Sequence, residues 1–164
     1  MYLKINSVIF LITGSCSSYI YVTPVNVFRS PGYPNCYPNN KDCTWLIEVP
    51  SGYFVLLEIN RFNLEYGSGN CPNDYLEIRD GNTSSSPLIT RLCGSLPYMY
   101  MYGSGRFLFI RFRSDGSIRM PGFQAICTAR SNSKRYFFNV INLTSKLKSH
   151  SDTTRTGVSL YKFL

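Results

Sequence analysis

The sequence has very little histidine and no closely spaced pair of cysteines, two features on which many enzymes and zinc sites depend. It contains one histidine, His150, and none of its cysteines form a C-x-x-C pair. A Ser-His-Asp or Cys-His arrangement would have to take its base from His150, which lies in a polar stretch near the C-terminus. A structural zinc site would lack its close Cys or His pairs. We therefore expect no enzymatic activity, and we expect disulfides rather than zinc.

Long apolar runs and a strongly charged globular region are missing as well. No segment approaches the roughly 20 apolar residues of a transmembrane helix. The net charge is +8, but residues 16–128 carry nine basic and eight acidic side chains, whereas residues 129–164 carry seven basic side chains and one acidic one. A region in which acids and bases nearly cancel cannot attract a polyanion strongly. We expect no transmembrane span and no nucleic-acid partner.

The C-terminal residues 129–164 mix scattered basic side chains with Ser, Thr and Asn, and we interpret them as a basic, disordered tail. The rival interpretation is a basic amphipathic helix on a membrane surface. Such a helix needs apolar residues at helical spacing after Leu143, and only Leu147 supplies one.

Aromatic residues make up 15% of the chain, whereas helix-favouring Ala, Glu and Gln are scarce. Short apolar runs alternate with turns rich in Gly, Pro and Asn. Residues 75–79 alternate and predict a half-buried strand, and residues 107–112 are apolar on both faces except at Arg111, which predicts a central strand. The predicted fold is all-β, an antiparallel sandwich of two sheets. The predicted strands are 19–28, 44–49, 54–62, 75–79, 88–92, 98–102, 107–112 and 123–127.

Six cysteines, an even number, indicate disulfides and an oxidising compartment. In residues 1–15, Lys4 precedes an apolar stretch at 8–12 and small residues at 14–15, which predicts a signal peptide and a secreted protein. The alternative is that Met1 is a wrong start or that the chain is a fragment. Asn82 and Asn142 begin acceptor sequences for N-glycans.

Several segments together resemble the CUB domain and occur in the order of that family. They are Ser-Pro-Gly-Tyr-Pro at 30–34, Tyr-Pro-Asn-Asn at 37–40, Asp-Cys-Thr-Trp at 42–45, Pro-Ser-Gly-Tyr at 50–53, Phe-Asn-Leu-Glu at 62–65, Cys-Pro-Asn-Asp-Tyr-Leu-Glu-Ile-Arg-Asp-Gly at 71–81, Cys-Gly at 93–94, Phe-Arg-Ser-Asp at 112–115 and Gly-Phe-Gln-Ala at 122–125. The resemblance implies a single, jelly-roll-like CUB domain of the calcium-binding type over residues 16–128.

The same resemblance implies two disulfides, Cys16–Cys43 and Cys71–Cys93. Cys36 and Cys127 depart from the common four-cysteine pattern of the family. Our prediction is that these two pair with each other. Six cysteines allow fifteen pairings, so the sequence alone does not decide among them. The alternative for Cys36 and Cys127 is two free thiols or an intermolecular bond.

By resemblance, a calcium ion would be bound by the carboxylates of Glu65, Asp74 and Asp115 and by a backbone oxygen of Ser117. Tyr37 would brace the acidic ligands through its hydroxyl. Calcium prefers six to eight oxygen ligands, and three neighbouring acids would repel one another without a cation. The alternative is that these acids are solvated loop residues.

Two departures from the calcium-binding pattern bear on this prediction. The loop from Glu65 to Asp74 is one residue longer than in familiar calcium-binding members, and Ile118 stands where an Asn is common. A contact made through the main chain could survive the second exchange. The glycines at 67 and 69 could absorb the first.

The resemblance implies an extracellular, calcium-assisted protein-binding module on which a lysine of a partner protein docks. An alternative contact face is an aromatic patch of Tyr98, Tyr100 and Tyr102. As a second hypothesis, the chain is a fragment or accessory module of a larger protein. That protein would be a secreted astacin-like or complement-type protease, or an endocytic cubilin-like receptor.

Overall fold

The computed structural model describes residues 16–131, and its regular elements there are all β-strands. The predicted signal peptide (1–15), almost all of the predicted tail, Asn142 and His150 lie outside the described residues. The strands are β1 (Ser18–Tyr21), β2 (Val25–Arg29), β3 (Asp42–Glu48), β4 (Tyr53–Asn63), β5 (Tyr75–Asp80), β6 (Leu88–Leu92), β7 (Met99–Tyr102), β8 (Phe107–Arg113) and β9 (Gly122–Ser131). Across residues 16–131 no helix is long and apolar enough to span a membrane.

The strands form two packed sheets. The five-stranded sheet has the order β1-β3-β8-β5-β6, and the four-stranded sheet has the order β2-β9-β4-β7. β1 pairs in parallel with β3, whereas β3 with β8, β8 with β5, and β5 with β6 are antiparallel. In the other sheet, β2 with β9 and β4 with β7 are also antiparallel. The predicted all-β sandwich is confirmed.

The first predicted strand, residues 19–28, is wrong as a single element. The chain forms β1 in the five-stranded sheet and then β2 in the four-stranded sheet. Pro24 lies at the break, where it has no N–H to donate to a sheet partner. The apolar run is therefore continuous in sequence but crosses from one sheet to the other.

Aromatic side chains join the two sheets near β3. Trp45 is 4% exposed, and its ring centroid lies 5.1 Å from that of Phe28 and 5.8 Å from that of Phe123. Trp45 belongs to the five-stranded sheet, whereas Phe28 and Phe123 belong to the four-stranded sheet. Burying each large apolar side chain contributes about 1.5–3 kcal/mol, so this cluster is a principal source of stability.

The predicted central strand is confirmed, because β8 lies between β3 and β5 and buries Leu108, Ile110 and Phe112 completely. The half-buried strand predicted at 75–79 is wrong in one respect. Its outer face is also covered, with Tyr75 at 6% and Glu77 at 5% exposure. Arg91 of neighbouring β6 and Arg79 of β5 itself contact the side chains on this face.

Two arginines cover the outer face of β5. Arg79 Nε and Arg91 Nη2 each donate to a carboxylate oxygen of Glu77 at 2.6 Å. The Arg91 guanidinium also lies over the Tyr75 ring, 4.3 Å from its centroid. Burial alone would raise the pKa of Glu77, but the hydrogen bonds from the two arginines outweigh it and hold that pKa below its usual value.

Two disulfides tie the sandwich, and they are the pairs that the resemblance implies. Cys16 bonds Cys43 with a Cα–Cα distance of 5.0 Å, and Cys71 bonds Cys93 with a Cα–Cα distance of 5.7 Å. The first joins the segment before β1 to β3. The second closes the long loop before β5 onto the end of β6.

The predicted Cys36–Cys127 bond is wrong, because both cysteines are free thiols. Cys127 lies on β9 and is fully buried in the core between the sheets, whereas Cys36 is exposed in the turn after Pro34. The two side chains therefore occupy different environments. Burial raises the pKa of the Cys127 thiol to about 12.

Candidate metal centre

Three loops at one end of the sandwich bring Glu65, Asp74 and Asp115 together. Glu65 follows the end of β4, Asp74 immediately precedes β5, and Asp115 follows the end of β8. The end of β8 and the start of β5 are neighbours, since Arg113 pairs with Tyr75. One carboxylate oxygen from each acid lies within 4.8 Å of the others.

Asp74 is the buried centre of the cluster. It is 0% exposed, its Oδ1 accepts a hydrogen bond from the Asp115 N–H at 2.7 Å, and its Oδ2 accepts one from the Tyr37 hydroxyl at 2.5 Å. The Tyr37 oxygen in turn accepts from the Glu65 N–H at 3.1 Å. Tyr37 therefore contacts two of the acidic residues. Its own burial and its bond to Asp74 raise the pKa of the Tyr37 hydroxyl well above its usual value.

One carboxylate oxygen of Glu65 has a hydrogen-bond partner, and the other has none among the described residues. It is 6% exposed, and its Oε1 accepts a hydrogen bond from Asn73 Nδ2 at 2.9 Å. Its Oε2 is buried and has no hydrogen-bond partner among residues 16–131. Burial raises the pKa of Glu65, the Asn73 bond lowers it in part, and the charges of Asp115 and Asp74 raise it further.

Ser117 lies against Asp115 on the exposed side of the cluster. Its N–H and its hydroxyl both donate to Asp115 Oδ1, at 2.8 and 3.0 Å. The same loop is fixed to the segment before β3, because the Asn40 N–H donates to the Asp115 carbonyl and Asn39 Nδ2 donates to the Gly116 carbonyl, each at 2.7 Å. The predicted role of the Ser117 backbone oxygen stays a prediction.

The loop between Glu65 and Asp74 has both of its ends in the cluster. The Glu65 carbonyl accepts from the Gly94 N–H at 3.0 Å, next to the Cys71–Cys93 disulfide. A Cβ on Gly67 would come within 2.9 Å of the Pro72 ring, so the loop folds back closely on itself at this glycine. The loop thus closes with both Glu65 and Asp74 in the cluster.

The residues present fit a calcium ion. Carboxylate oxygens are the ligands that this hard cation prefers, and three acids converge on one point. A buried carboxylate oxygen without a partner is costly, and Glu65 Oε2 is such an atom. None of the ion pairs among the described residues involves these three acids.

Sequence reasoning did not identify Asn73 as part of this centre. Asn73 precedes Asp74 directly but reaches back eight residues to Glu65. The contact between Asn73 and Glu65 depends on how the loop folds back, and no spacing of residues in the sequence predicts it. The only available signal was an amide next to a candidate ligand.

The remaining predicted site residues lie elsewhere. Tyr98 immediately precedes β7, the edge strand of the four-stranded sheet, and Tyr100 and Tyr102 lie on that strand. Tyr98 is 57% and Tyr100 is 56% exposed. Neighbouring ring centroids in this row are 6.5 and 5.7 Å apart. Asn82 is exposed in the turn after β5.

Comparison with known families identifies this disulfide-bonded sandwich. The family model of the CUB domain matches residues 16–126. The chain belongs to the CUB domain family. A CUB domain is a non-catalytic module.

Curated relatives contain similar domains within much longer chains. Cubilin from Canis lupus familiaris is 43% identical over 115 residues, which cover 67% of this chain and 3% of that protein. Tolloid-like protein 1 from Mus musculus is 41% identical over 112 residues, which cover 68% of this chain and 11% of that protein. The chain thus spans a small part of the length of these relatives.

Solved structures share the fold. The MASP-1 CUB2 domain bound to Ca2+ superimposes with a TM-score of 0.61 at 28% identity, covering 69% of this chain and 99% of that domain. The full extracellular region of zebrafish Gpr126/Adgrg6 gives a TM-score of 0.63 at 26% identity, covering 71% of this chain and 15% of that region.

Proposed function

We propose that this CUB domain is a calcium-assisted protein-binding module of an extracellular protein. The observation that carries the proposal is the convergence of Glu65, Asp74 and Asp115, in which Glu65 Oε2 is buried and has no partner among the described residues. A divalent cation would satisfy that oxygen and offset the repulsion among the acids.

Each residue of the centre would have a defined task. Glu65, Asp74 and Asp115 would supply carboxylate oxygens, and Ser117 would supply a backbone oxygen. Tyr37 would hold Asp74 and the Glu65 backbone through its hydroxyl. The Ca2+ named for the similar MASP-1 CUB2 domain supports this choice of ion.

The ion would prepare a surface for a basic side chain of a protein partner. A carboxylate bound to calcium retains lone pairs that can accept hydrogen bonds from an ammonium group. The cluster lies in surface loops, and Ser117 beside Asp115 is exposed. A lysine of the partner could therefore approach from that side, and charge complementarity would orient it.

An extracellular location agrees with the two disulfides, which persist in oxidising compartments. It also agrees with exposed Asn82 as a glycan acceptor. Asn82 follows the end of β5, whereas Asp74 precedes its start, so a glycan on Asn82 would lie at the opposite end of the sandwich from the acids. Glycosylation there would leave the metal centre accessible.

The domain would act within a larger protein or by itself. Its similarity to small parts of cubilin and tolloid-like protein 1 supports an accessory module of an astacin-like or complement-type protease, or of a cubilin-like receptor. A transcript that extends beyond this sequence would favour that assembly. A transcript with a stop after Leu164 and a cleaved leader would favour the free-standing secreted protein.

A second candidate contact face is the tyrosine row formed by Tyr98, just before β7, and by Tyr100 and Tyr102 on β7. Tyr98 and Tyr100 are more than half exposed, and Tyr98 donates a 2.7 Å hydrogen bond to Glu58 Oε1. Tyr98 also lines a groove of about 590 Å³, together with Tyr33 and Asn60. Exposed tyrosines combine apolar rings with a polar hydroxyl and are enriched at protein interfaces.

Chelation would distinguish the two faces once a partner is isolated. A partner that docks a lysine on the metal centre should dissociate in EDTA and after acetylation of its lysines. A partner held by the tyrosine row should remain bound in EDTA and dissociate from the Tyr100→Ala variant.

The first experiment is calorimetric titration of calcium into the oxidised, chelator-treated full chain. We expect a single site in the wild type and none in Asp115→Ala. Asp80→Asn is the matched control, because Asp80 ends β5 at the opposite end of the sandwich and should leave binding unchanged. A wild type that binds no calcium would refute the proposed mechanism.

A further inference from the structure

We propose that Asn73 is a positioning residue of the metal centre, whose amide group holds one oxygen of Glu65 so that the other faces the ion. This inference rests on the calcium site proposed above. It assigns a role to a side chain that need not touch the metal.

The geometry begins with the two oxygens of one carboxylate. Asn73 Nδ2 lies 2.9 Å from Glu65 Oε1, and Glu65 Oε2 is buried with no partner within residues 16–131. Both oxygens belong to one planar carboxylate, so a hydrogen bond at Oε1 restricts the directions in which Oε2 can point. The hydrogen bond thus selects which oxygen of Glu65 remains available.

Glu65 is held at two points. The Tyr37 oxygen accepts from its backbone N–H at 3.1 Å, and Asn73 holds its side chain. Tyr37 also donates to Asp74, the residue next to Asn73. One short segment therefore provides both an acidic ligand and the donor that orients a second ligand.

An amide is suited to this position because it donates a hydrogen bond without carrying charge. A Lys or Arg would neutralise the carboxylate and compete with the cation, and an acid would add repulsion to a site where three carboxylates already converge. Asn73 leaves the negative charge of Glu65 available to the ion. It also restricts a long side chain that would otherwise lose more rotamer freedom when calcium binds.

Removing the amide should therefore weaken calcium binding without removing a ligand. Groups that orient metal ligands typically contribute about 10- to 100-fold in metal affinity. We expect Asn73→Leu, which is similar in size but has no donor, to raise the calcium dissociation constant about tenfold. Asn70→Leu is the matched control, because Asn70 is exposed in the same loop and only its carbonyl contacts Arg91.

The test is calorimetric calcium titration of the full chain, with the calcium-free unfolding midpoint measured beside it. The inference is supported if Asn73→Leu binds calcium about tenfold more weakly than wild type and Asn70→Leu binds it with unchanged affinity. Calcium affinity within twofold of wild type overturns it, even if the midpoint falls. A wild type without calcium binding refutes the metal site itself, which separates the two failures.

A second background tests whether Asn73 acts through Glu65. In Glu65→Ala the acceptor is gone, so adding Asn73→Leu should change the remaining calcium affinity, followed by NMR at millimolar calcium, less than twofold. If Asn73→Leu lowers calcium affinity equally in the wild-type and Glu65→Ala backgrounds, Asn73 does not act through Glu65, and the inference is overturned. If Asn73→Leu does not fold, Asn73→Gln replaces it; that variant keeps a donor at the wrong length, and unchanged affinity would also overturn the inference.

Discussion

The Tyr37 hydroxyl donates a 2.5 Å hydrogen bond to Asp74 Oδ2, and neither side chain is exposed to solvent. The same oxygen accepts from the Glu65 N–H. The hydroxyl thus connects the hydrophobic core, where the Tyr37 ring packs 5.1 Å from Phe112, to the acidic loops. The geometry of the three acidic loops is therefore coupled to core packing.

Tyr37→Phe should lower both stability and calcium affinity. The ring keeps its packing, but buried Asp74 loses a donor and the Glu65 N–H loses its acceptor. We expect a loss of about 2 kcal/mol in the free energy of unfolding, measured by urea denaturation in EGTA. Tyr66→Phe is the control, since Tyr66 is 80% exposed. A Tyr37→Phe variant as stable as wild type would contradict the assigned role.

The raised pKa of Glu65 predicts a pH-dependent stability in the calcium-free chain. Because this pKa lies above its usual value of 4.5, the folded state binds the proton more tightly than the unfolded state. The contribution of Glu65 to stability should therefore become more favourable as the pH falls through the raised pKa. It should become less favourable as the pH rises through it.

The measurement is the difference in unfolding free energy between wild type and Glu65→Gln, in EGTA, across a pH series. The lowered pKa values of Asp42 and Glu77 act in the opposite direction, but they are common to both chains and cancel in the difference. With calcium present, protons should compete with the ion and weaken its binding over the same range. If this difference in unfolding free energy does not change with pH, or changes in the opposite direction, the pKa of Glu65 is not raised in the folded state.

Glu77→Gln should destabilise the five-stranded sheet. It leaves Arg79 and Arg91 without their shared counter-charge on the outer face of β5. Loss of one partner from a buried pair costs about 3–5 kcal/mol, and partial exposure of both arginines reduces our expectation to about 2 kcal/mol. Glu48→Gln is the comparison, because its partner Arg106 is more exposed, and it should cost under about 1 kcal/mol. Equal effects in urea denaturation would argue against the burial of Glu77.

The two free cysteines should differ in reactivity. A maleimide added to the native, non-reduced chain should label Cys36, and Cys127 should react only after denaturation, since it is buried and its pKa is raised to about 12. Mass spectrometry would count the labels, with Cys36→Ser as control. Absence of any label in denaturant would restore the Cys36–Cys127 bond predicted from sequence.

The two-sheet fold was accessible from sequence because turn residues bound each apolar run and the CUB motifs occur in order. The three acids were accessible only through that resemblance, since they lie on loops distant in sequence. Local sequence patterns gave the wrong burial where a residue distant in sequence covers the side chain. The alternation of 75–79 could not reveal that Arg91 from β6 covers Glu77.

The cysteines and Asn73 illustrate the same limit in another form. Pairing Cys36 with Cys127 was the simplest way to use the two remaining cysteines. A disulfide, however, requires side chains that point towards each other, and the sequence does not show where a side chain points. The Asn73–Glu65 contact likewise depends on closure of a loop. The break in the run at 19–28 was predictable from Pro24, because a proline has no N–H and is disfavoured inside a strand.

Trp45 is the only tryptophan in the chain, and it touches Phe28 and Phe123 across the gap between the two sheets. Its fluorescence is therefore an intrinsic optical reporter of how closely the sheets are apposed. The emission of the folded protein should be that of a dry, apolar site and should shift to the red when the sheets separate. Folding in the presence and in the absence of calcium can thus be followed without attaching a dye.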